Sequence, residues 1–180
     1  MDEKASSLSD KAFAAYRKKD FTTASEVFSE CIHLLDDQQD ALAAAEMRNN
    51  LSVVLLELKK AHESLKMVEG TDLVFAAAGD IRRQAMALGN IGTAQQALGL
   101  LSEALTSFEQ SAELFKQTDE KEMRSITLKK IADLQLKTGK QFQALASLDA
   151  SYDQQEKKSL KKRILQSFLG TLIKKITRRS

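Results

Sequence analysis

The side chains that could do nucleophilic or metal chemistry are few in this sequence. The only histidines, His33 and His62, lie on different predicted helices, so they do not share one helix face as paired metal ligands do. Cys31 is the only cysteine. The sequence contains no Gly-rich phosphate loop, no HExxH motif and no Ser–His–Asp set. We therefore predict a protein that is not an enzyme, holds no metal and needs no cofactor.

Small residues recur in this sequence at a fixed spacing of 40 residues. The first set is Ala24, Ser64, Ala104 and Ala144. A second small set lies 12 positions earlier and consists of Ala12, Ser52, Gly92 and Ala132. Large apolar residues lie four positions after the first set, at Phe28, Val68, Phe108 and Leu148. Small residues on consecutive helices let the backbones approach closely, and a fixed period of this length predicts stacked helical repeats.

Each 40-residue unit is predicted to contain a helix A, a short turn and a helix B. Helices A are expected near 5–18, 40–58, 80–98 and 120–138, and helices B near 22–37, 61–78, 102–117 and 141–156. The turns inside the units are marked by Lys19-Asp20, Lys59-Lys60, Gly99-Leu100 and Gly139-Lys140. Gly79-Asp80 and Thr118-Asp119 carry the helix-stop and N-cap signals between units.

The composition favours helix throughout. The chain has 180 residues, of which 43% are hydrophobic, with seven Gly and no Pro. Because the usual helix breakers are scarce, an all-α fold is expected. A single cysteine suits a reducing compartment, and neither the polar N-terminus nor any apolar run has the pattern of a secretion signal or a membrane span. We predict a soluble, cytoplasmic protein.

These repeated columns resemble the tetratricopeptide repeat. The best copy is Asn90-Ile91-Gly92 followed by Ala94, Leu98-Gly99, Glu103-Ala104 and Phe108, and a weaker copy begins at Asn50-Leu51-Ser52. The usual repeat has about 34 residues, whereas this one has 40 and lacks the closing Pro. The longer form resembles the branch found in kinesin light chains, spindle-orientation adaptors and bacterial scaffold proteins. The resemblance implies an α-solenoid of about four helix-turn-helix repeats.

The resemblance also implies a division of the chain. Four repeats are expected at about 5–38, 40–78, 80–118 and 120–156 within a repeat region of residues 1–156. A basic amphipathic C-terminal helix is expected at 157–180.

In this family the helices A line a concave face that binds a protein or peptide. The resemblance places the following residues in that groove: Phe13, Arg17, Asn50, Val53, Glu57, Asn90, Thr93, Lys130, Asp133 and Lys137. Asn50 and Asn90 stand out because an Asn amide both donates and accepts, so a ladder of them can grip the backbone of an extended peptide. The alternative is that these amides face water on a polar helix surface.

The ligand that the groove is expected to take is partly apolar. Heat-shock co-chaperones of this family bind an acidic C-terminal peptide with a clamp of Lys and Asn from three consecutive repeats. The corresponding positions here do not supply the cations of that clamp. A partly apolar helix or extended segment is therefore the better ligand.

Residues 157–180 differ in charge from the rest of the chain. They carry nine Lys and Arg and no acid, which leaves 18 basic and 25 acidic residues elsewhere. Their apolar stripe consists of Leu160, Ile164, Phe168, Leu172 and Ile176. Three roles stay open, namely capping of the last repeat, binding of a partner or a second copy, and binding of an anionic membrane or acidic partner. The cations cluster at the two ends of the segment, which favours capping.

We predict a non-catalytic scaffold or adaptor that binds a protein or peptide of unknown identity in the groove. The alternative is peripheral membrane or acidic-partner binding, or self-association, through the C-terminal helix. Membrane contact is expected only through 157–180, and an oligomer is compatible with that segment. No nucleic-acid partner is expected, because the aromatic residues are few and their pattern buries them.

Overall fold

A computed structural model of the protein describes residues 2–153, and every regular element in this range is an α-helix. The helices are α1 (Glu3–Arg17), α2 (Phe21–Asp37), α3 (Ala41–Glu57), α4 (Ala61–Val68), α5 (Thr71–Ala77), α6 (Ile81–Ala97), α7 (Leu101–Gln117), α8 (Lys121–Lys137) and α9 (Gln141–Asp153). The predicted all-α fold is therefore confirmed. The basic amphipathic helix predicted at 157–180 and the last residues of the helix predicted at 141–156 lie outside the described residues.

The described residues form two compact units, which divide between Glu120 and Lys121. Helices α1 to α7 belong to the first unit, and α8 and α9 belong to the second. In the first unit α2 packs on α1 and α3, α4 and α5 pack on α6, and α3 also packs on α6. In the first two repeats the helix B thus lies against the helix A of the next repeat, which is the packing of a solenoid. In the second unit α8 and α9 form an antiparallel pair.

One predicted helix is wrong. The helix B expected at 61–78 is interrupted, because α4 ends at Val68 and α5 begins at Thr71. Gly70 lies between them with a φ of 80°, a left-handed conformation that glycine adopts without steric cost. Despite the interruption, α5 ends at Ala77, which is the position in the repeat at which α2 and α7 also end.

A three-residue turn recurs every 20 residues. Helices begin at Phe21, Ala41, Ala61, Ile81, Leu101, Lys121 and Gln141. The middle residue of each turn has a φ between 55° and 77°, and these residues are Lys19, Gln39, Lys59, Gly79, Gly99, Asp119 and Gly139. The N–H of the third turn residue donates to the carbonyl five positions earlier, as from Lys60 to Leu55 at 2.8 Å. This is the hydrogen bond of a Schellman motif, so turns within and between repeats are built alike.

Aspartate caps three of the helices that follow these turns. The carboxylates of Asp20, Asp40 and Asp80 each accept the backbone N–H three residues later, at 2.8–3.2 Å. The hydrogen bond from the backbone N–H of Arg83, supported by the Arg83 guanidinium, holds the pKa of Asp80 below its usual range. Asp119, predicted as part of an N-cap signal, instead occupies the left-handed position of its turn with a φ of 55°. A carboxylate there lies one residue too early for the cap position.

The small and large columns meet in the core as predicted. Ala104 and Phe108 of α7 are fully buried. A Cβ on Gly92 of α6 would lie 2.9 Å from the Phe108 ring and 3.2 Å from the Ala104 carbonyl oxygen. Only a glycine at this position permits so close an approach of α6 and α7 without displacing the ring.

A further column of small residues was missed by the sequence analysis. Its members are Ala5, Ala45, Ala85 and Ser125, and all are buried. The Ser111 hydroxyl donates to the Ala85 carbonyl at 2.7 Å, and the Cys31 thiol donates to that of Ala5 at 3.4 Å. Burial raises the pKa of the Cys31 thiol, so this cysteine stays protonated and acts as a small packing residue.

The left-handed turn positions yield a pair of substitutions with opposite effects. Gly99→Ala should lower the free energy of unfolding by about 1–2 kcal/mol, because its Cβ meets no atom within 4 Å and only backbone strain is added. Lys59→Gly should raise it by about 0.5 kcal/mol, since relief of strain exceeds the entropy that glycine adds to the unfolded chain. Urea unfolding measures both. Lys11→Gly is the control, because Lys11 is exposed in the interior of α1, where φ is negative and glycine should destabilise by about 0.5–1 kcal/mol. A Lys59→Gly protein less stable than the parent would contradict the strain argument.

Gly92 yields a second stability prediction. Gly92→Ala should cost about 1–3 kcal/mol through overpacking against Phe108. The cost should shrink when Phe108→Val is also present, because repeat 2 pairs Ser52 with Val68 in the same columns. A double-mutant cycle in urea measures this coupling. Gly89→Ala on the same helix is the control, since its Cβ would meet only the Ser111 hydroxyl at 3.4 Å. Strictly additive costs would show that the ring does not limit this approach.

Candidate functional site

The predicted groove residues lie on helices A of both units. In the first unit α1 carries Phe13 and Arg17, α3 carries Asn50, Val53 and Glu57, and α6 carries Asn90 and Thr93. In the second unit α8 carries Lys130, Asp133 and Lys137. Helices α3 and α6 are in direct contact, so the structure brings their two sets of residues together.

Burial divides the groove residues of the first unit into two kinds. Phe13, Val53 and Thr93 are half-buried, whereas Arg17 and Glu57 are exposed. The Phe13 ring packs edge-on against Phe28, with ring centres 5.3 Å apart and planes at 89°. Phe13 therefore has one part of its ring in the core and the other part at the surface. A face of this kind offers apolar area to a ligand without being unstable in water.

Asn90 is held by a neighbouring helix. Its Nδ2 donates to Oδ1 of Asn49 on α3 at 3.1 Å. Asn49 is only 8% exposed, and its own Nδ2 donates to the Thr71 hydroxyl at 2.9 Å and to the Ala45 carbonyl at 3.1 Å. A chain of side-chain hydrogen bonds thus links α6 to α3 and α3 to α5.

This chain of hydrogen bonds ends at the interruption between α4 and α5. The Thr71 hydroxyl donates to the Val68 carbonyl at 2.7 Å. In a continuous helix the carbonyls of this turn would accept backbone N–H groups. Here the Thr71 side chain replaces one of those donors at the Val68 carbonyl. We name Asn49, Thr71 and Asn90 the amide network. Asn49 and Thr71 are buried and hydrogen-bonded to each other, so the network is a structural element that stabilises the interruption.

Sequence reasoning missed the amide network. It placed Asn90 in the groove and gave Asn49 no structural role. The available signal was local, because Gly70-Thr71 lies inside a predicted helix and Asn49 shares a column with the small residues Ser9 and Gly89. An amide at a position where two other repeats have small residues indicates a hydrogen-bond partner on a neighbouring helix. The column does not identify that partner.

Asn50 differs from Asn90 in its surroundings. It is half-buried, and its amide makes no side-chain hydrogen bond within residues 2–153. Both of its N–H groups and its carbonyl oxygen are therefore available to a ligand. Asn90 keeps one N–H and its carbonyl oxygen after its bond to Asn49. The two amides can still contact a peptide backbone, although they are not equivalent.

The groove residues of the second unit carry charge. Asp133 and Lys137 form an ion pair at 2.7 Å, one helical turn apart on α8. Both side chains are half exposed, so the pair contributes at most about 0.5 kcal/mol. Desolvation lowers the pKa of the Lys130 ammonium.

The groups that the helices A present are of a kind that can bind a ligand. Among the described residues, no three His, Cys, Asp or Glu side chains are grouped so that they could hold a metal ion. Within the same part of the chain, no helix combines the length and the hydropathy that crossing a bilayer requires. What the helices A present is a set of amides, half-buried apolar side chains and a few charges.

Comparison with known proteins identifies a family and a fold. The family model for soluble NSF attachment protein (SNAP) matches residues 1–176. No curated protein sequence matches the chain. Among solved structures, BtubC (BKLC) from P. vanneervenii is similar with a TM-score of 0.77 at 16% identity, over 83% of this chain and 62% of that one. The apo form of RapI has a TM-score of 0.79 at 15% identity, over 86% and 57%.

A third similar structure contains nearly identical TPR-like repeats and is described as a kinesin light chain from Podosopora anserina. It matches with a TM-score of 0.69 at 13% identity, over 100% of both chains. This chain spans about three fifths of BtubC and RapI. At these identities the likeness shows the fold alone, and it confirms the tetratricopeptide-like solenoid.

The amide network predicts different roles for two adjacent asparagines. Asn49→Ala should lower the free energy of unfolding by about 1–3 kcal/mol, because it leaves the Asn90 amide and the Thr71 hydroxyl short of a partner. Asn50→Ala should change it by less than about 0.5 kcal/mol. Urea unfolding with circular dichroism compares them. Thr71→Val, which removes only the hydroxyl, should resemble Asn49→Ala. Equal stability of the two Asn variants would show that the network contributes nothing.

Proposed function

This chain belongs to the soluble NSF attachment protein family, and from that premise we propose that it is a non-catalytic scaffold that binds a protein or peptide along its helices A. The family name describes soluble attachment proteins for NSF, which is a name for a protein that binds another protein. The tetratricopeptide-like fold supports the same kind of function, because stacked helix pairs present one helix of each pair along a continuous face.

The observation that carries the proposal is the unengaged amide of Asn50. It lies on α3 beside half-buried Val53, with the Asn90 amide on the adjacent helix α6. An extended peptide exposes one N–H and one carbonyl per residue, and these two amides can accept and donate to them. The recognition would depend on the ligand backbone, so several sequences could bind in the same way.

The ligand is expected to be partly apolar. Phe13 and Val53 offer apolar area on α1 and α3, and Met86 adds an exposed side chain on α6. Glu57 is exposed and forms no ion pair within the described residues. The exposed Arg17 on α1 likewise forms no ion pair within the described residues, so the two charges offset each other and the apolar side chains determine the ligand class.

Variants of α3 test this proposal. The full chain, the groove variant Asn50→Ala/Val53→Ser and the control Glu26→Ala/Glu30→Ala on exposed α2 positions would be compared by affinity capture with quantitative mass spectrometry. A true partner should be captured by the parent and the control, and its recovery should fall about tenfold with the groove variant, which corresponds to about 1.4 kcal/mol. Titration with the purified partner then measures the same ratio. Unchanged capture by the groove variant would exclude this face as the binding site.

A further inference from the structure

The C-terminal end of α5 and the turn after it expose an apolar surface. Leu73 is 67% exposed, and Ala76 and Ala77 are exposed as well. Ile81, the first residue of α6, is 38% exposed. No polar side chain lies between Leu73 and Gly79. We name Leu73, Ala76, Ala77 and Ile81 the α5 patch.

The other repeats of the first unit show that this patch is specific to the second repeat. The positions that correspond to Leu73, Ala76 and Ala77 are His33, Asp36 and Asp37 in α2, and Glu113, Lys116 and Gln117 in α7. All six of these residues are exposed. Exposure is therefore a property of the position in the fold, and polar residues occupy it in both neighbouring repeats. The apolar side chains of the second repeat have no role in its core.

Three members of the α5 patch share one helix face, and the fourth follows after one turn. Leu73, Ala76 and Ala77 have the spacing of one helix face. Backbone hydrogen bonds from Gly79 to Ala76 at 3.0 Å and from Ile81 to Gly79 at 3.1 Å fold the turn back beside that face. Ile81 thus begins α6 directly after the turn that follows the α5 face.

The backbone beneath the patch is firmly held. Phe75, on the opposite side of α5, is 1% exposed and packs with Ala45 and Ala87. The Arg83 guanidinium lies 5.3 Å above the Phe75 ring and forms ion pairs with Asp80 at 2.6 Å and Glu46 at 2.9 Å. A surface on such a support can bind a partner with little loss of conformational entropy.

The charges around the patch are mainly negative. Glu69, the C-cap residue of α4, and Asp72, in the first turn of α5, form no ion pair within the described residues, and they outnumber the one exposed cation of the last turn of α4, Lys66. The nearby guanidinium of Arg83 is shared by two carboxylates, and that of Arg82 is paired with Glu120 at 2.7 Å. A partner that brings cations to the rim is therefore favoured, whereas an anionic membrane or an acidic peptide is repelled.

We propose that the α5 patch docks a cationic amphipathic helix of a partner protein. The apolar side of that helix would cover Leu73 and Ile81, and the small side chains of Ala76 and Ala77 would let its backbone approach closely. Lys or Arg residues at its edge would pair with Glu69 and Asp72. This site lies on a helix B and does not depend on the groove of the helices A.

The test uses the full chain and two synthetic peptides of about 18 residues, each with Leu at the i, i+3, i+4 and i+7 positions of an amphipathic helix. One peptide has Lys at the remaining positions, and the other has Glu. The variant Leu73→Glu/Ala76→Lys/Ala77→Gln introduces the residues that α7 carries at these positions and leaves the net charge unchanged. His33→Gln on α2 is the control. Thermal unfolding establishes that both variants are folded.

Fluorescence anisotropy is expected to show that the Lys peptide binds the parent and the control alike. Its affinity for the triple variant should fall at least about tenfold, and the Glu peptide should bind the parent at least about tenfold more weakly. Equal binding of the Lys peptide to the triple variant, or of the two peptides to the parent, would overturn the proposal. A parent dimer that the triple variant converts to a monomer in sedimentation velocity would also overturn it, since a second copy would then cover the patch.

Discussion

The left-handed residue in each three-residue turn is the constraint on which the rest of this structure depends. Because the N–H after it always returns to the carbonyl five positions earlier, every helix that precedes such a turn ends in the same way, and the next helix begins two residues after the left-handed residue. The two helices of a repeat are thereby placed in one antiparallel register. Gly92 meets Ala104 across this register, and the Ser64 hydroxyl donates to the Ser52 carbonyl in the same columns at 2.8 Å. Without an identical turn, the small columns would not face each other.

A fixed register also explains how the packing tolerates changes in chemistry. Repeats 1 and 2 place the apolar pairs Ala15–Val27 and Leu55–Met67 where helix A meets helix B. Repeats 3 and 4 use Gln95–Ser107 and Gln135–Ser147 at these positions, with hydrogen bonds of 2.7 and 2.8 Å. The two residues of a pair change together because this position on helix A always faces the same position on helix B. A buried Gln without its Ser would leave an unsatisfied amide, which costs about 1–3 kcal/mol.

The sequence predicted the helices well and their internal contacts less well. Column reasoning located every helix within two residues except the interrupted one and the last, because small and large residues recur at the period that the turns impose. It missed the interruption at Gly70, since the same column holds Glu30 and Gln110 and gives no sign of a break. It also treated Asn90 as a free surface amide. Whether an amide is engaged depends on what a neighbouring helix carries, and Asn49 and Thr71 meet it only after the helices have stacked.

The candidate site follows from what the stack leaves unengaged. Periodicity identifies the residues that share a helix face. The structure then shows that Asn90 donates one side-chain N–H to Asn49, whereas Asn50 donates none within the described residues. A net contribution of about 1 kcal/mol per hydrogen bond means that two amides alone do not hold a ligand. Burial of one Leu-sized side chain adds about 1.5–3 kcal/mol, so the half-buried Phe13 and Val53 must supply much of the affinity. The amides then determine where along this face the ligand backbone lies, and the apolar side chains determine how tightly it is held.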